Sequence, residues 1–279
     1  STDVIQDLAI QSDGKIVVAG YTDPGGNASD FAVVRFNSDG SLDNTFDGDG
    51  KVTTNVGSND FGTAIAIQND GKILVAGYSN NGGNYDFAIV RYNTNGSLDN
   101  TFDGDGKVIT PIGADSDYAR AIKLQSDGKI VVTGDLYVGI NNDDIAVVRY
   151  NSDGSLDTSF DGDGKVITVI SNDMEGAKSL AIQNDGKILV GGFTKISGNQ
   201  DFAVIRYNTN GSLDNSFDSD GIVTTQVGTG DDSGAALAIQ SDGKIILVGE
   251  TNVGSTDNFG LVRYNTDGSL DVTFDGDGK

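Results

Sequence analysis

The sequence predicts an all-β fold, a five-bladed β-propeller of four-stranded antiparallel blades with about 57 residues per repeat. The first observation behind this is repetition. The phrase Q-[SN]-D-G-K-I starts at Gln11, Gln68, Gln125, Gln183 and Gln240. A second phrase, G-S-L-D-x-[TS]-F-D-x-D-G, starts at Gly40, Gly96, Gly154, Gly211 and Gly268. A fixed period in this range marks a repeat architecture. The second observation is that each repeat holds four short β-prone runs. The third is that helix signals are missing: glycine falls every few residues and no 3.6-residue apolar period appears. Four-stranded sheets arranged as propeller blades bury their faces against their neighbours. An open β-solenoid is the rival reading, although its coils take only ~20–30 residues.

The second repeat shows the elements in order. Ala64–Gln68 alternates small and large apolar residues, a period of two. Asn69-Asp70-Gly71 supplies a tight turn, because glycine takes positive φ at little cost. Lys72–Tyr78 is the second strand, and a variable loop runs to Tyr85. Asp86–Tyr92 is the third strand, with Phe87, Ile89 and Arg91 on one face. A long, nearly constant connection then leads to the fourth strand, Lys107–Thr110. The small residues of the first strand (Ala9, Ala66, Ala181, Ala238) place it innermost and the fourth strand at the rim. The repeats run 1–57, 58–114, 115–172, 173–229 and 230–279 within one domain spanning 1–279, and the last lacks its rim strand. The third strand of that last blade, Phe259–Tyr264, is expected to present an edge that pairs with an adjacent protomer or the continuing chain.

Composition narrows the function. Acidic residues number 41 against 18 basic ones, a net charge of −23. That argues against nucleic acid and anionic membranes as partners. With no Cys and no His, disulfides, thiolate metal sites and imidazole chemistry are excluded. No apolar run reaches the ~20 residues a membrane helix needs. The chain opens in mid-repeat, which reads as a mature or excised segment.

The Q-x-D-G-K-I, V-x-R-[YF]-N and G-S-L-D-x-[TS]-F phrases resemble the delta-60 repeat family along the whole chain. The resemblance implies a bacterial secreted or cell-surface propeller with no assigned activity and no catalytic residues to carry over. The expected partners are a protein or a glycan at a surface.

The Asp-Gly-Lys turns and the long S-L-D loops share one face, which is constant. The second-to-third loops and the blade-to-blade connections share the other, which varies: compare Thr22–Ser29, Leu136–Asn142, Thr194–Gln200 and Thr251–Asp257. Variable loops on a rigid scaffold are where recognition sits. Asp135 and Glu250 replace the aromatic residues Tyr21, Tyr78 and Phe193 there, and Leu136, Tyr137, Val138 and Ile140 form an apolar stretch. Tyr21, Tyr78 and Phe193 are candidate sugar-stacking rings.

Two sets of acids are candidate binding groups. Asp3, Asp60, Asp117, Glu175 and Asp232 each stand eight residues before a repeat glutamine. They would either ring a cation or sugar site on the variable face, or accept N–H bonds from the blade-to-blade turns. The long loops carry Asp43, Asp47 and Asp49; Asp99, Asp103 and Asp105; Asp157, Asp161 and Asp163; Asp214, Asp218 and Asp220; and Asp271, Asp275 and Asp277. Their D-x-D-G ending echoes the start of a calcium loop, so Ca²⁺ is the candidate cofactor, with turn capping as the other reading. Arg35, Arg91, Arg149, Arg206 and Arg263 recur on the third strand and need an acid, either the S-L-D aspartate or Asp30 and its equivalents. Glu175 and Glu250 are the only glutamates, and both map to the variable face. A glycoside hydrolase would need such a pair, but Glu250 has no evident partner. The sequence therefore favours a noncatalytic structural or adhesive module, with a multivalent carbohydrate binder as the alternative.

Overall fold

The computed structural model describes residues 2–25, 28–139, 142–254 and 256–279. Ile140 and parts of three variable loops therefore lie outside the described residues. The chain is all-β, a five-bladed propeller. Blade 1 is β1 (Thr2–Ile10), β2 (Ile16–Asp23), β3 (Asp30–Phe36) and β4 (Lys51–Thr54). Blade 2 is β5 (Asp60–Ile67), β6 (Ile73–Asn80), β7 (Tyr85–Tyr92) and β8 (Lys107–Thr110). Blade 3 is β9 (Asp117–Leu124), β10 (Ile130–Gly139), β11 (Asn142–Tyr150) and β12 (Lys165–Thr168). Blade 4 is β13 (Glu175–Ile182), β14 (Ile188–Ile196), β15 (Asn199–Tyr207) and β16 (Ile222–Thr225). Blade 5 is β17 (Asp232–Ile239), β18 (Ile245–Val253) and β19 (Thr256–Tyr264), a three-stranded sheet among the described residues. Within every sheet the strands follow chain order as an antiparallel meander.

The first strands start earlier than the period-two pattern indicates. β5 begins at Asp60 rather than Ala64, because its register slips between Gly62 and Ala64. A β-bulge puts one extra residue into the strand and breaks the alternation on which the sequence reading depends.

The chain divides into two compact units, residues 1–132 with 150–156, and residues 133–149 with 157–279. In the first unit the core lies between blades 1 and 2. Val17, Phe31 and Val33 meet Ile73, Val75 and Tyr92, all fully buried. In the second unit the same positions of blades 4 and 5 meet: Leu189, Phe202 and Val204 against Ile245, Leu247 and Tyr264. Burying each such side chain contributes roughly 1.5–3 kcal/mol. A tyrosine at the end of the third strand reaches the preceding rim strand. Tyr92 Oη bonds Thr54 Oγ1 at 2.8 Å, and Tyr264 Oη bonds Thr225 Oγ1 at 2.8 Å.

Close packing of neighbouring blades restricts one position to small residues in blades 2 to 5. A Cβ on Gly62 would lie 2.5 Å from the carbonyl oxygen of Gly20 in the preceding blade, and one on Gly234 would lie 2.5 Å from that of Gly192. Blades 3 and 4 carry Ala119 and Ala177 at this position, and both are fully buried. Blade 1 departs from the rule with Ile5, which is 65% exposed.

Candidate functional site

At the constant end of each blade the repeated arginine is paired. Arg35 Nε lies 2.7 Å from Asp43 Oδ2, and Arg206 Nε lies 2.6 Å from Asp214 Oδ2. The partner is the S-L-D aspartate, not Asp30. Lys15 adds a second ion pair to Asp43 at 2.9 Å, and Lys187 does the same for Asp214. The guanidinium also reaches forward: Arg35 Nη1 donates to Thr94 O at 2.6 Å, and Arg206 Nη1 to Thr266 O at 2.5 Å. Phe46 and Phe217 lie under the two guanidinium groups at 4.6 and 4.5 Å. Arg35, Arg91, Arg149 and Arg206 each tie one blade to the next in this way. The Thr45 hydroxyl is the largest influence on Asp43. Burial opposes it, Lys15 and Arg35 reinforce it, and the carboxyl is held well below the usual range.

These contacts decide the geometry of the aspartate triads. Their first members, Asp43, Asp99, Asp157, Asp214 and Asp271, are buried. In the second position, Asp47, Asp103, Asp161, Asp218 and Asp275 have left-handed backbone with φ between 47° and 52°. The Asp47 N–H donates to Asn95 O in the next blade at 2.7 Å, and the Asp161 and Asp218 N–H groups do the same to Asn210 and Asp267. The third members, Asp49, Asp105, Asp163, Asp220 and Asp277, each accept the N–H two residues on at 2.9 Å. The first and third carboxylates of a triad are thereby turned to different tasks, an ion pair and a turn cap. Among the described residues no three acids come together as a metal group.

The acids of the variable end are not a solvent-facing ring. Asp60, Asp117, Glu175 and Asp232 are all at most 1% exposed. Asp60 Oδ2 accepts the Val56 N–H at 2.7 Å, and Asp232 Oδ2 accepts that of Val227 at 2.7 Å. Asp117 caps the N–H groups of Ile112 and Gly113, and Glu175 those of Ile170 and Ser171. The turns that join blades have donors with no ladder partner, and burial of those donors draws the carboxylates inward. Asp3 is exposed and accepts the Thr22 hydroxyl at 2.6 Å. Burial is the main influence on Glu175. The Ser171 and Ile170 N–H groups oppose it, Asp144 adds to it, and the carboxyl is pushed up to about 7. Glu250 is exposed and stands opposite Ser233 and Phe259. Asp135 is buried and accepts the Ala177 N–H at 2.9 Å. Leu136 is buried, while Val138 is 48% exposed.

The distinctive feature of the variable end is aromatic and lies in the first unit. Tyr21 and Tyr78 are joined by Phe61, whose ring centroid lies 4.7 Å from one and 5.0 Å from the other. Tyr118 lies 5.0 Å from Tyr78, and Tyr85 packs on Tyr78 at 5.3 Å and on Tyr118 at 5.8 Å. All five rings are partly exposed. Arg120 lies 5.3 Å over Tyr118, and Asn59 Nδ2 donates to Tyr85 Oη at 2.8 Å. Phe61 and Tyr118 directly follow the capped acids Asp60 and Asp117. A strand alternates its faces, so an inward acid turns the next ring outward. Phe61 and Tyr78 are direct partners across β5 and β6. The equivalent pair in blade 4 is Gly176 and Phe193. There a Cβ on Gly176 would lie 2.5 Å from the Phe193 ring. Phe193 therefore folds onto the strand, is only 7% exposed, and belongs to no platform. The sequence reading named Tyr21 and Tyr78 but missed Phe61, Tyr85 and Tyr118. The signal for two of them was an aromatic directly after the acid.

The architecture is that of a repeat β-propeller. The chain belongs to the family described as a domain of unknown function (DUF5122) beta-propeller, which matches residues 11–46, 68–102, 125–160, 183–217 and 240–274. Each match opens on a repeat glutamine and closes at or beside the S-L-D-x-x-F phenylalanine. Among solved structures, the chain is similar to a protein of unknown function from Bacteroides caccae, at 15% identity and a TM-score of 0.51, covering 95% of this chain and 79% of that one. A protein of unknown function from Dyadobacter fermentans gives 12% identity and a TM-score of 0.55, with 95% and 80% covered. A PL25 ulvan lyase gives 13% identity and a TM-score of 0.59, with 94% and 67% covered. Likeness at this identity shows the fold alone. No curated protein matches the chain.

Proposed function

We propose that this chain is a noncatalytic propeller of the delta-60 type, displayed outside a bacterial cell or on its surface, where it serves as an adhesive interaction module. Its contact surface is the platform of Tyr21, Phe61, Tyr78, Tyr85 and Tyr118, and its ligand is a surface glycan. The observation that carries this reading is the continuity of the five rings, with centroids 4.7–6.0 Å apart. Aromatic faces supply broad apolar contact, and the phenol groups and Arg120 supply hydrogen bonds at its margin. A pyranose ring offers both in one ligand, an apolar C–H face and equatorial hydroxyls. Among the described residues the platform occurs once, so the reading is of one extended site rather than five equivalent ones. Support for a noncatalytic role comes from Glu175, whose Oε1 is committed to the Ile170 and Ser171 N–H groups, and from Glu250, which is exposed and stands opposite Ser233 and Phe259 rather than a second acid.

A glycan array, repeated with Phe61→Ala and Tyr78→Ala, tests the platform. Binding is expected in the native chain and is expected to fall at least about tenfold in each variant. A polysaccharide hydrolysis screen run beside it is expected to show no turnover. Activity that vanishes in Glu175→Gln or Glu250→Gln would overturn the noncatalytic reading.

A further inference from the structure

The row of side chains that includes Glu175 differs from its counterparts. In blade 2 the row is Asp60, Ser79 and Asp86; in blade 5 it is Asp232, Thr251 and Asn258. In both, the hydroxyl donates to the first carboxylate: Ser79 Oγ to Asp60 Oδ1 at 2.6 Å, and Thr251 Oγ1 to Asp232 Oδ1. Blade 4 has Glu175, Thr194 and Asp201, directly opposite one another across β13, β14 and β15. Direct partners in an antiparallel sheet project from the same face, with Cβ atoms ~4.5–5.5 Å apart.

In blade 4 the longer glutamate side chain and the threonine hydroxyl do not meet in a hydrogen bond. Glu175 Oε1 still caps the turn, but Glu175 Oε2, Thr194 Oγ1 and Asp201 Oδ1 have no hydrogen-bond partner within the protein. Glu175 is 1% exposed and Thr194 fully buried, while Asp201 is partly exposed. A buried hydroxyl between two carboxylates, all three with an open oxygen, is costly unless something satisfies them. The nearby Lys195 does not, because it pairs with Asp173 at 3.8 Å.

We infer that this row binds one hard divalent cation of the calcium and magnesium class, with Glu175 Oε2, Thr194 Oγ1 and Asp201 Oδ1 as its protein ligands. An all-oxygen donor set with two carboxylates suits such an ion. The partial exposure of Asp201 gives it an entry path and room for water ligands. The site lies in the second unit and is independent of the aromatic platform. It is also distinct from the aspartate triads of the constant end.

The test is calorimetric titration of chelator-stripped protein with calcium alone and with magnesium alone, paired with thermal melts. One equivalent of at least one of the two ions is expected to bind and to raise Tm reversibly. Glu175→Asp installs the acid of blades 2 and 5, lets Thr194 satisfy it, and keeps the cap. It is expected to fold normally and to weaken binding at least about tenfold, as is Thr194→Val. Asp49→Asn, in a constant-end triad, is expected to leave binding unchanged. Absence of heat with both ions overturns the assignment, as does equal affinity in Glu175→Asp or binding that only Asp49→Asn removes. If both ions are without effect while stability titrates near neutrality, the row holds a proton and the assignment is wrong.

Discussion

The two ends of the blades in the first unit make opposite use of the same strands. At the constant end, Arg35 and Arg91 sit in matching nests of aspartate, threonine and phenylalanine. The nest recurs in the second unit at Arg206, with Ser216 in place of the threonine. At the variable end, five aromatic rings gather once, and blade 4 answers with a glycine and a folded-down phenylalanine. What repeats holds blades together. What occurs once is free to recognise something. Abundance of a residue is thus a poor guide to its use here: the first aspartate of each triad pairs with arginine and the third caps a turn, while the aromatic cluster is built from a few unrepeated rings.

Acid should break the constant end first and most completely. Asp43, Asp99, Asp214 and Asp271 all have carboxyls held well below their ordinary value of 3.8. A depressed folded-state pKa gives stability that is present above 3.8 and lost as pH falls through the folded value. Equilibrium unfolding by denaturant between pH 6 and about 2 should show stability falling steeply below about 4. A flat profile would mean that the nests contribute little.

Removing one nest should cost less, yet still dominate any single change elsewhere. Arg206→Ala leaves Asp214 buried beside Lys187 alone and frees Thr266 O. A loss of about 3–5 kcal/mol is expected by urea titration. A loss below about 1 kcal/mol would place the nest among surface ion pairs.

Blade spacing gives a smaller and more pointed contrast. Gly62→Ile should cost about 1–3 kcal/mol, because the new side chain meets the Gly20 carbonyl. The reverse change in blade 1, Ile5→Gly, should cost less than about 1 kcal/mol because Ile5 is already exposed. Equal effects would show that the close approach is not what selects glycine.

At the variable end, Tyr78→Ala should change stability by only about 1 kcal/mol, since the ring is partly exposed. Its effect should appear in glycan binding instead. Loss of stability without loss of binding would reduce the platform to packing.

Much of the fold was legible because its signals are local and repeated. The rim strand Lys107–Thr110 is where the alternation put it. The first strands were read short because a bulge at Thr63 breaks the period that would have revealed Asp60–Gly62. The site was less legible. Asp43 and Asp49 look alike in sequence, but one is drawn into a buried ion pair and the other caps a turn. That distinction depends on the incoming Arg35 and Lys15. The platform depends on blade-to-blade proximity: Tyr21, Phe61 and Tyr118 belong to three different repeats, and no spacing within one repeat brings them together. Glu175 was visible as an exception, but its effect on Thr194 follows from strand register.

Ile5 has a companion in Phe36, which stands where the later blades have Tyr92, Tyr150, Tyr207 and Tyr264. Those tyrosines bond a threonine of the blade before them, and phenylalanine cannot. The junction between blades is therefore polar in the sense of a plug and socket: arginine and threonine reach forward, and glycine or alanine and tyrosine receive. Blade 1 keeps the forward-reaching arginine and threonine but carries Ile5 and Phe36 at the two receiving positions. The repeats are consequently not interchangeable in both directions. A sequence copied from blade 4 into the place of blade 2 brings both halves of the junction with it. A copy of blade 1 placed there would interrupt the chain of contacts at its own leading face.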